Sequence, residues 1–427
     1  MYQAPRGTND ILPEDWPYWR YLRDQIERLA SLYGFERIDT PIFEVTELFE
    51  RGVGEAASVM VEKEMYTFTD KGGVSLTLRP EFTAGVMRAY LEHGMRVRPS
   101  PVKLYSIGPI FRQERPQAGR FRQHTQWNLE VLGEMDPAVD FEVMSIAWQL
   151  FEDIGFRGLS FQLNSIGCPR CRPAHIQALV EHFSAHREKL SDVDKRRLEL
   201  NPLRLLDSKE PAAQPLLDRA PRSVDFLCDE CREHFATLRS YLDGAGLPYT
   251  VNPRLVRGFD YYTKTVFEVW AEGIGAQAAV CGGGRYDGLI ELLGGPPTPG
   301  IGFGSGIERL ILTLKAQGVV PPPLPRPLVQ VSYVAQGEAG RAVKQAAVHL
   351  ARELRRAGIG ALLPFGDRSL KAQLKAADRQ GVRYVVILGE GELAAGQLTL
   401  RDLAEATQQA VARDDLIPWL RRRLDQA

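Results

Sequence analysis

The sequence predicts an α/β chain in three parts: an α+β core spanning residues 1–325, a mostly helical insertion in it at about 168–250, and a C-terminal α/β unit over 326–427. Three observations carry this. From Ser106 to Glu130, strand-forming residues flank a cationic turn, Arg115 to Arg122, that contains Pro116 and Gly119. Between Cys168 and about Pro248 the apolar pattern turns helical and charges multiply. After the proline run VVPPPLPRP, strand-like and helix-like segments alternate.

A chain of 427 residues exceeds one ordinary core, and 44% hydrophobic with 25% charged residues is the balance of a soluble globular protein. No apolar run is long enough to span a bilayer, and MYQAPRGTND lacks the apolar core of a secretory signal. The expectation is a cytoplasmic protein without a membrane partner. A net charge of -1 argues against a protein that coats nucleic acid, while leaving room for a local basic surface.

In chain order, Leu22, Ile26, Leu29 and Tyr33 recur at helical spacing, and Gly34 sits where that helix would stop. FERIDTPIFE reads as one extended segment that Pro41 confines to an edge or an interface. Two short strands about Gly72 and Gly73 lead into a helix, with Arg79, Glu81 and Thr83 at the junction; Glu81 could cap that helix. In the central hairpin, Arg112 and Glu114 fall on one face of the first strand, with Gln126 and Glu130 on the returning one. An arginine fork matches a phosphate and a carboxylate accepts from an amine, so the stretch suits a nucleotide and an amino-bearing partner. An amphipathic helix is expected over Phe141–Phe156.

Of five cysteines, four form CxxC pairs, Cys168 with Cys171 and Cys228 with Cys231; Cys281 stands alone. Two such pairs suit a structural zinc ion. The long gap between them favours buried thiols in a reducing compartment instead. In RLVRGFDYYTKTVFEVW, Arg257 precedes the pair Tyr261 and Tyr262, whose rings and hydroxyls suit an imidazole. VCGGGRYDGL, holding Tyr286, allows close backbone approach to a ligand. Glycines 302, 304 and 306 precede a helix with Arg309 in its first turn, leaving room for a flat ring with an arginine near a terminal phosphate. The C-terminal pattern (LVQVSYV, Arg341–Ala357, IGALLPF, Leu370–Arg379, VRYVVILG) predicts a small parallel or mixed sheet under helices, with a surplus of Lys and Arg.

FRQER with GRFRQ resembles the second signature motif of class II aminoacyl-tRNA synthetases, FERIDTPIFE the first, and GIGFGSGIERL the third. TLRPEFTA, RGFDYYTKTVFE and GGGRYDGL resemble segments of the histidyl-tRNA synthetase family. The resemblance spans essentially the whole chain. It implies an antiparallel sheet flanked by helices, a homodimer meeting at Pro41, and a C-terminal anticodon-binding domain. It implies ligation of histidine to tRNA(His), read at acceptor stem and anticodon, by way of histidyl-adenylate, with ATP as substrate and Mg2+ beside it. On the matching positions, Glu81, Phe82, Thr83, Arg112, Gln126, Glu130, Arg257, Tyr261, Tyr262 and Tyr286 would surround histidine, with Glu81 on its α-ammonium. Many relatives have glycine where this chain has Phe82. Arg112, Glu114, Arg120, Gly304 and Arg309 would hold ATP, and Arg112 and Arg257 would flank the α-phosphate as catalytic residues. Inactive paralogues that regulate ATP phosphoribosyltransferase lack the C-terminal domain and have eroded motif arginines; this chain keeps both.

Overall fold

The computed structural model describes residues 2–53, 64–113, 119, 121–258, 261–272, 279–334, 337–366 and 368–424. They fall into two compact units, Met1–Pro322 and Pro323–Ala427. In the first, eleven strands are described: β1 Glu36–Arg37, β2 Phe43–Val45, β3 Tyr66–Thr69, β4 Ser75–Leu78, β5 Val102–Phe111, β6 Gln123–Leu132, β7 Ser160–Ser165, β8 Tyr249–Val251, β9 Thr263–Trp270, β10 Ala279–Arg285 and β11 Gly300–Gly306. Eight form one sheet in the order β1-β5-β6-β11-β10-β9-β7-β8. Its middle is antiparallel, and its two ends close with parallel pairs, β1 on β5 and β8 on β7. The strands β2, β4 and β3 make a separate small sheet.

The hairpin of β5 and β6 pairs Val102 with Leu132 at one end and Phe111 with Gln123 at the other. Strand alternation then sorts the sheet's faces. Trp127, Leu129 and Val131 of β6 and Ile301 and Phe303 of β11 join the main apolar core, where the Trp127 and Phe303 rings meet edge to face at 4.7 Å. Leu22, Ile26 and Leu29 of helix Trp16–Leu32 and Val143, Ile146 and Leu150 of helix Pro137–Asp153 complete that layer. Gln126, Asn128 and Glu130, with Gly302, Gly304 and Gly306, take the other face, which is therefore free for polar chemistry.

Several boundaries differ from the expected ones for local reasons. The helix expected over Phe141–Phe156 runs from Pro137 to Asp153, because Asp136 accepts from the Ala138 N–H and Pro137 suits a first turn. FERIDTPIFE breaks into β1 and β2, which belong to different sheets. The first hairpin strand ends at Phe111, so Arg112 stands just past it. The C-terminal helix expected over Arg341–Ala357 is Gly337–Arg356.

Within 168–250 the helices do not share one core. Leu179, Phe183, Leu198, Leu205, Leu206 and Leu217 form their own cluster. Helix Asp229–Gly244 instead sends Phe235, Leu238 and Leu242 into the main core. The second unit holds β12 Val329–Tyr333, β13 Ala361–Leu362, β14 Tyr384–Leu388, β15 Gln397–Asp402 and β16 Thr407–Ala412, in the order β13-β12-β14-β15-β16. Its first three strands are parallel and its last two antiparallel, a mixed sheet closed by helices Gly337–Arg356, Leu370–Arg379 and Leu416–Leu424.

Candidate active site

On the polar face of the large sheet lies a cleft of about 280 Å³, lined by Arg112, Arg257 and Arg309 together with Phe121, His124, Glu268, Glu308 and a run of small residues from β10 and β11. Each arginine is steered by a different element. Arg112 Nε donates to the carbonyl of Pro80 at 2.8 Å. Arg309, in the first turn of helix Ile307–Ala316, donates to the Ala279 carbonyl at 2.8 Å. Arg257 pairs with Glu268 at 2.9 Å, and its buried Nε has no hydrogen-bond partner among the described residues. Gly282 makes that posture possible, since a Cβ there would overlap the Arg257 guanidinium. The glycine triplet thus admits an arginine from within the chain.

Two further cleft residues had no sequence signal. His124 is held neutral, its pKa lowered to about 4 by burial and by the nearby Arg112 and Arg309 charges. Glu308 accepts the Thr125 N–H on both oxygens, at 2.8 and 2.9 Å, yet burial raises its pKa to about 7. His124 directly follows GRFRQ and Glu308 lies within GIGFGSGIERL, and only the closing of β6 against the helix after β11 makes them neighbours.

Beside the cleft, Glu130 is sealed within the sheet face. It accepts from the Thr83 hydroxyl at 2.6 Å and from Asn128 Nδ2 at 3.1 Å, and it bonds the Tyr286 hydroxyl. Burial dominates those bonds and raises its pKa to about 8. The Tyr261 ring stands 4.8 Å from Tyr262 and 6.0 Å from Tyr286, so the three tyrosines form one buried cluster, which the Tyr286 hydroxyl joins to Glu130. The Arg257 guanidinium lies 5.9 Å from the Tyr262 ring centre, linking this cluster to the cleft. Glu81 does cap its helix, accepting from the backbone N–H of Thr83 and of Ala84, the latter at 2.8 Å; burial nonetheless raises its pKa.

One expectation needs correction. The room foreseen for a flat ring beside the glycines of β11 is taken up at two of them: a Cβ at Gly302 would overlap the Glu130 carboxylate, and one at Gly304 the Gln126 amide. The glycines therefore seat the polar side chains of the neighbouring strand, and Gly304 and Gly306 line the cleft besides. Phe82 is buried in the same apolar cluster as Tyr261, Tyr262 and Tyr286, its ring 4.2 Å from the Arg79 guanidinium. Glu114 and Arg120 lie outside the described residues. Arg285 of the RYDGL segment is wholly buried, at 2.6 Å from Asp140, where it ties β10 to helix Pro137–Asp153.

Residues 7–310 match the family described as Histidyl-tRNA synthetase, and residues 329–423 the family Anticodon binding domain. The chain is 52% identical over 424 residues to a Histidine--tRNA ligase of Dehalococcoides mccartyi, covering 99% of this chain and 100% of that protein. It is 50% identical to one of Pelotomaculum thermopropionicum, covering 98% and 97%. The crystal structure of apo S. aureus histidyl-tRNA synthetase superposes with a TM-score of 0.82 at 37% identity, over 98% of this chain and 99% of that one.

Proposed function

This chain belongs to the histidyl-tRNA synthetase family, and we propose that Arg112 and Arg257 act on opposite sides of the α-phosphate of ATP in its cleft. The family's reaction joins the carboxylate of L-histidine to that phosphorus, releases pyrophosphate, and passes histidine from the adenylate to the 3′ end of tRNA(His). A carboxylate is already a nucleophile, so the first step needs alignment and charge neutralisation more than it needs a base. The observation that carries this reading is the convergence of Arg112, Arg257 and Arg309 on one cleft that adjoins the tyrosine pocket.

Histidine occupies the pocket of Glu81, Thr83, Gln126, Glu130, Tyr261, Tyr262 and Tyr286, with Arg112 and Arg257 at its carboxylate end. Glu130 and the tyrosine hydroxyls pair with the imidazole, whose donor and acceptor would leave those groups unsatisfied if another side chain entered. ATP lies along Arg112, Gly304 and Arg309. Magnesium would supply charge neutralisation at the phosphates, and Glu268 and Glu308 are the described carboxylates of the cleft that would be available to hold it.

Residues 1–325 are the catalytic domain, 168–250 its insertion, and 326–427 the domain that reads the anticodon. A homodimer forms across the small sheet, where Pro41 is exposed beside the half-exposed Ile42, Phe43, Val45 and Phe68. No helix among the described residues is long and apolar enough to cross a membrane, and the protein works in the cytoplasm. The test is ATP-pyrophosphate exchange with each amino acid in turn, followed by charging of tRNA. Exchange with histidine alone, and charging of tRNA(His), is expected. Exchange with another amino acid would overturn the assignment of the tyrosine pocket.

A further inference from the structure

We propose that Cys168, Cys171, Cys228 and Cys231 hold a structural zinc ion that fastens the base of the helical insertion to the strand entering the histidine pocket. The long spacing between the two pairs is the sequence's objection to such a site, and the fold removes it: all four sulfurs lie within 4.8 Å of one another. Cys168 Sγ is 3.8 Å from Cys171 Sγ and 3.9 Å from Cys228 Sγ, and Cys171 Sγ is 3.9 Å from Cys231 Sγ. A tetrahedron with zinc–sulfur bonds of about 2.3 Å has edges of roughly 3.8 Å. A disulfide would need sulfurs about 2.05 Å apart, so none of these pairs is placed for one.

The surroundings suit four thiolates. Cys171 precedes helix Arg172–Ser184 and Cys228 precedes helix Asp229–Gly244, so each pair sits at a helix N-terminus, where the backbone dipole favours negative charge. The Cys168 N–H donates to Cys171 Sγ at 3.3 Å. Gly167 holds a positive φ of 71° and a Cβ there would sit 2.7 Å from Cys171 Sγ, so the chain is cleared to bring both sulfurs inward. Cys281, the fifth cysteine, takes no part in the cluster.

Both cysteine loops grip the same strand. Arg172, the residue after Cys171, donates to the carbonyls of Ile166, Gly167 and Tyr262. Glu230, the residue before Cys231, pairs with the buried Lys264 at 2.9 Å. The Lys264 backbone bonds Gly167 and Ile166 at 2.9 and 2.8 Å. Lys264 itself has a φ of 47°, unusual outside glycine, and it follows Tyr262 by two residues. A bound ion therefore fixes the two loops that fix the tyrosine segment, and acts on histidine binding by position alone.

The test uses the full-length chain, expressed and purified without chelator or metal-affinity resin. About one zinc per chain is expected by elemental analysis. Cobalt in its place should give the intense thiolate charge-transfer and d–d bands of a tetrahedral tetrathiolate. Cys168→Ser and Cys228→Ser should each lose the metal. Should those variants fail to fold, metal can be withdrawn from the unaltered chain with an organomercurial and a chelator, followed by restoration of the thiols. Withdrawal should lower the melting temperature and raise KM for histidine several-fold while leaving KM for ATP unchanged, and zinc should restore both. Less than about a tenth of an equivalent of metal, together with no cobalt spectrum after reconstitution of the reduced chain, would overturn the site. An unchanged histidine KM on withdrawal would overturn its link to the pocket.

Discussion

In the cleft, Arg112, Arg257 and Arg309 stand among glycines and open space, whereas in the adjoining pocket Glu130 is closed in by Thr83, Asn128 and Tyr286. The first region keeps its charges and aims them. The second suppresses charge, since burial keeps the Glu130 carboxyl protonated up to about pH 8. The contrast teaches a division of labour: fixed cations lower the barrier for any carboxylate brought to the phosphate, and the buried group of Glu130 and the tyrosines decides which amino acid is brought.

Arg257→Ala breaks the cleft without entering the core of the pocket. Loss of one preorganised donor should lower histidine-dependent exchange by on the order of 10²-fold or more. Near-normal exchange would remove Arg257 from the mechanism. Gly302→Ala attacks the pocket through its floor, because the new methyl meets both the Glu130 carboxylate and the Leu129 backbone carbonyl. Backbone cannot retreat as a side chain can, so about 1–3 kcal/mol of stability should be lost, read as a lower denaturation midpoint with a raised histidine KM. Tyr286→Phe is gentler. It deletes one buried bond to Glu130 and should cost about 1 kcal/mol, roughly a fivefold weaker histidine affinity, with KM for ATP unmoved. A shift in both constants would mean that pocket and cleft are not separable in this way.

The smallest effect concerns protons. Glu130 has an ordinary value of 4.5 and a folded one of about 8, so between these the folded chain holds a proton that the unfolded chain has released. Its contribution to stability therefore falls as pH rises through that window and is constant above it. A cationic group arriving beside Glu130 should lower its pKa and expel part of that proton. Calorimetric titration with histidine at pH 7, in buffers of different ionisation enthalpy, should show fractional proton release, absent in Glu130→Gln. Heat independent of buffer would assign the titration elsewhere.

What was legible in the sequence follows the range of the interactions. The hairpin, the helix-capping position of Glu81 and the helix after β11 are set by residues within a few positions of each other, and their side-chain types announce them. The pairs that tune the site are not local. Glu268 meets Arg257 from 11 positions further on, within β9, and Arg285 finds Asp140 across 145 positions. The glycines of β10 and β11 show the limit best. Their smallness was plain, but whether it served a ligand or the side chains of Arg257, Gln126 and Glu130 depended on which strand lay opposite. The four cysteines gather for the same reason: two helix starts distant in sequence are brought to one end of the sheet.

The pairing of β7 with β8 has a consequence for how the chain reaches this state. These strands run side by side, Phe161 against Tyr249, yet the whole helical insertion lies between them. Their contact closes a loop whose entropic cost grows with the logarithm of its free length. Because Leu179, Phe183, Leu198 and Leu205 can collapse on one another first, that free length shrinks before the strands meet. Folding of the sheet's far edge is then timed by a small helical cluster, and weakening that cluster should slow folding and leave the β7 edge open to other chains.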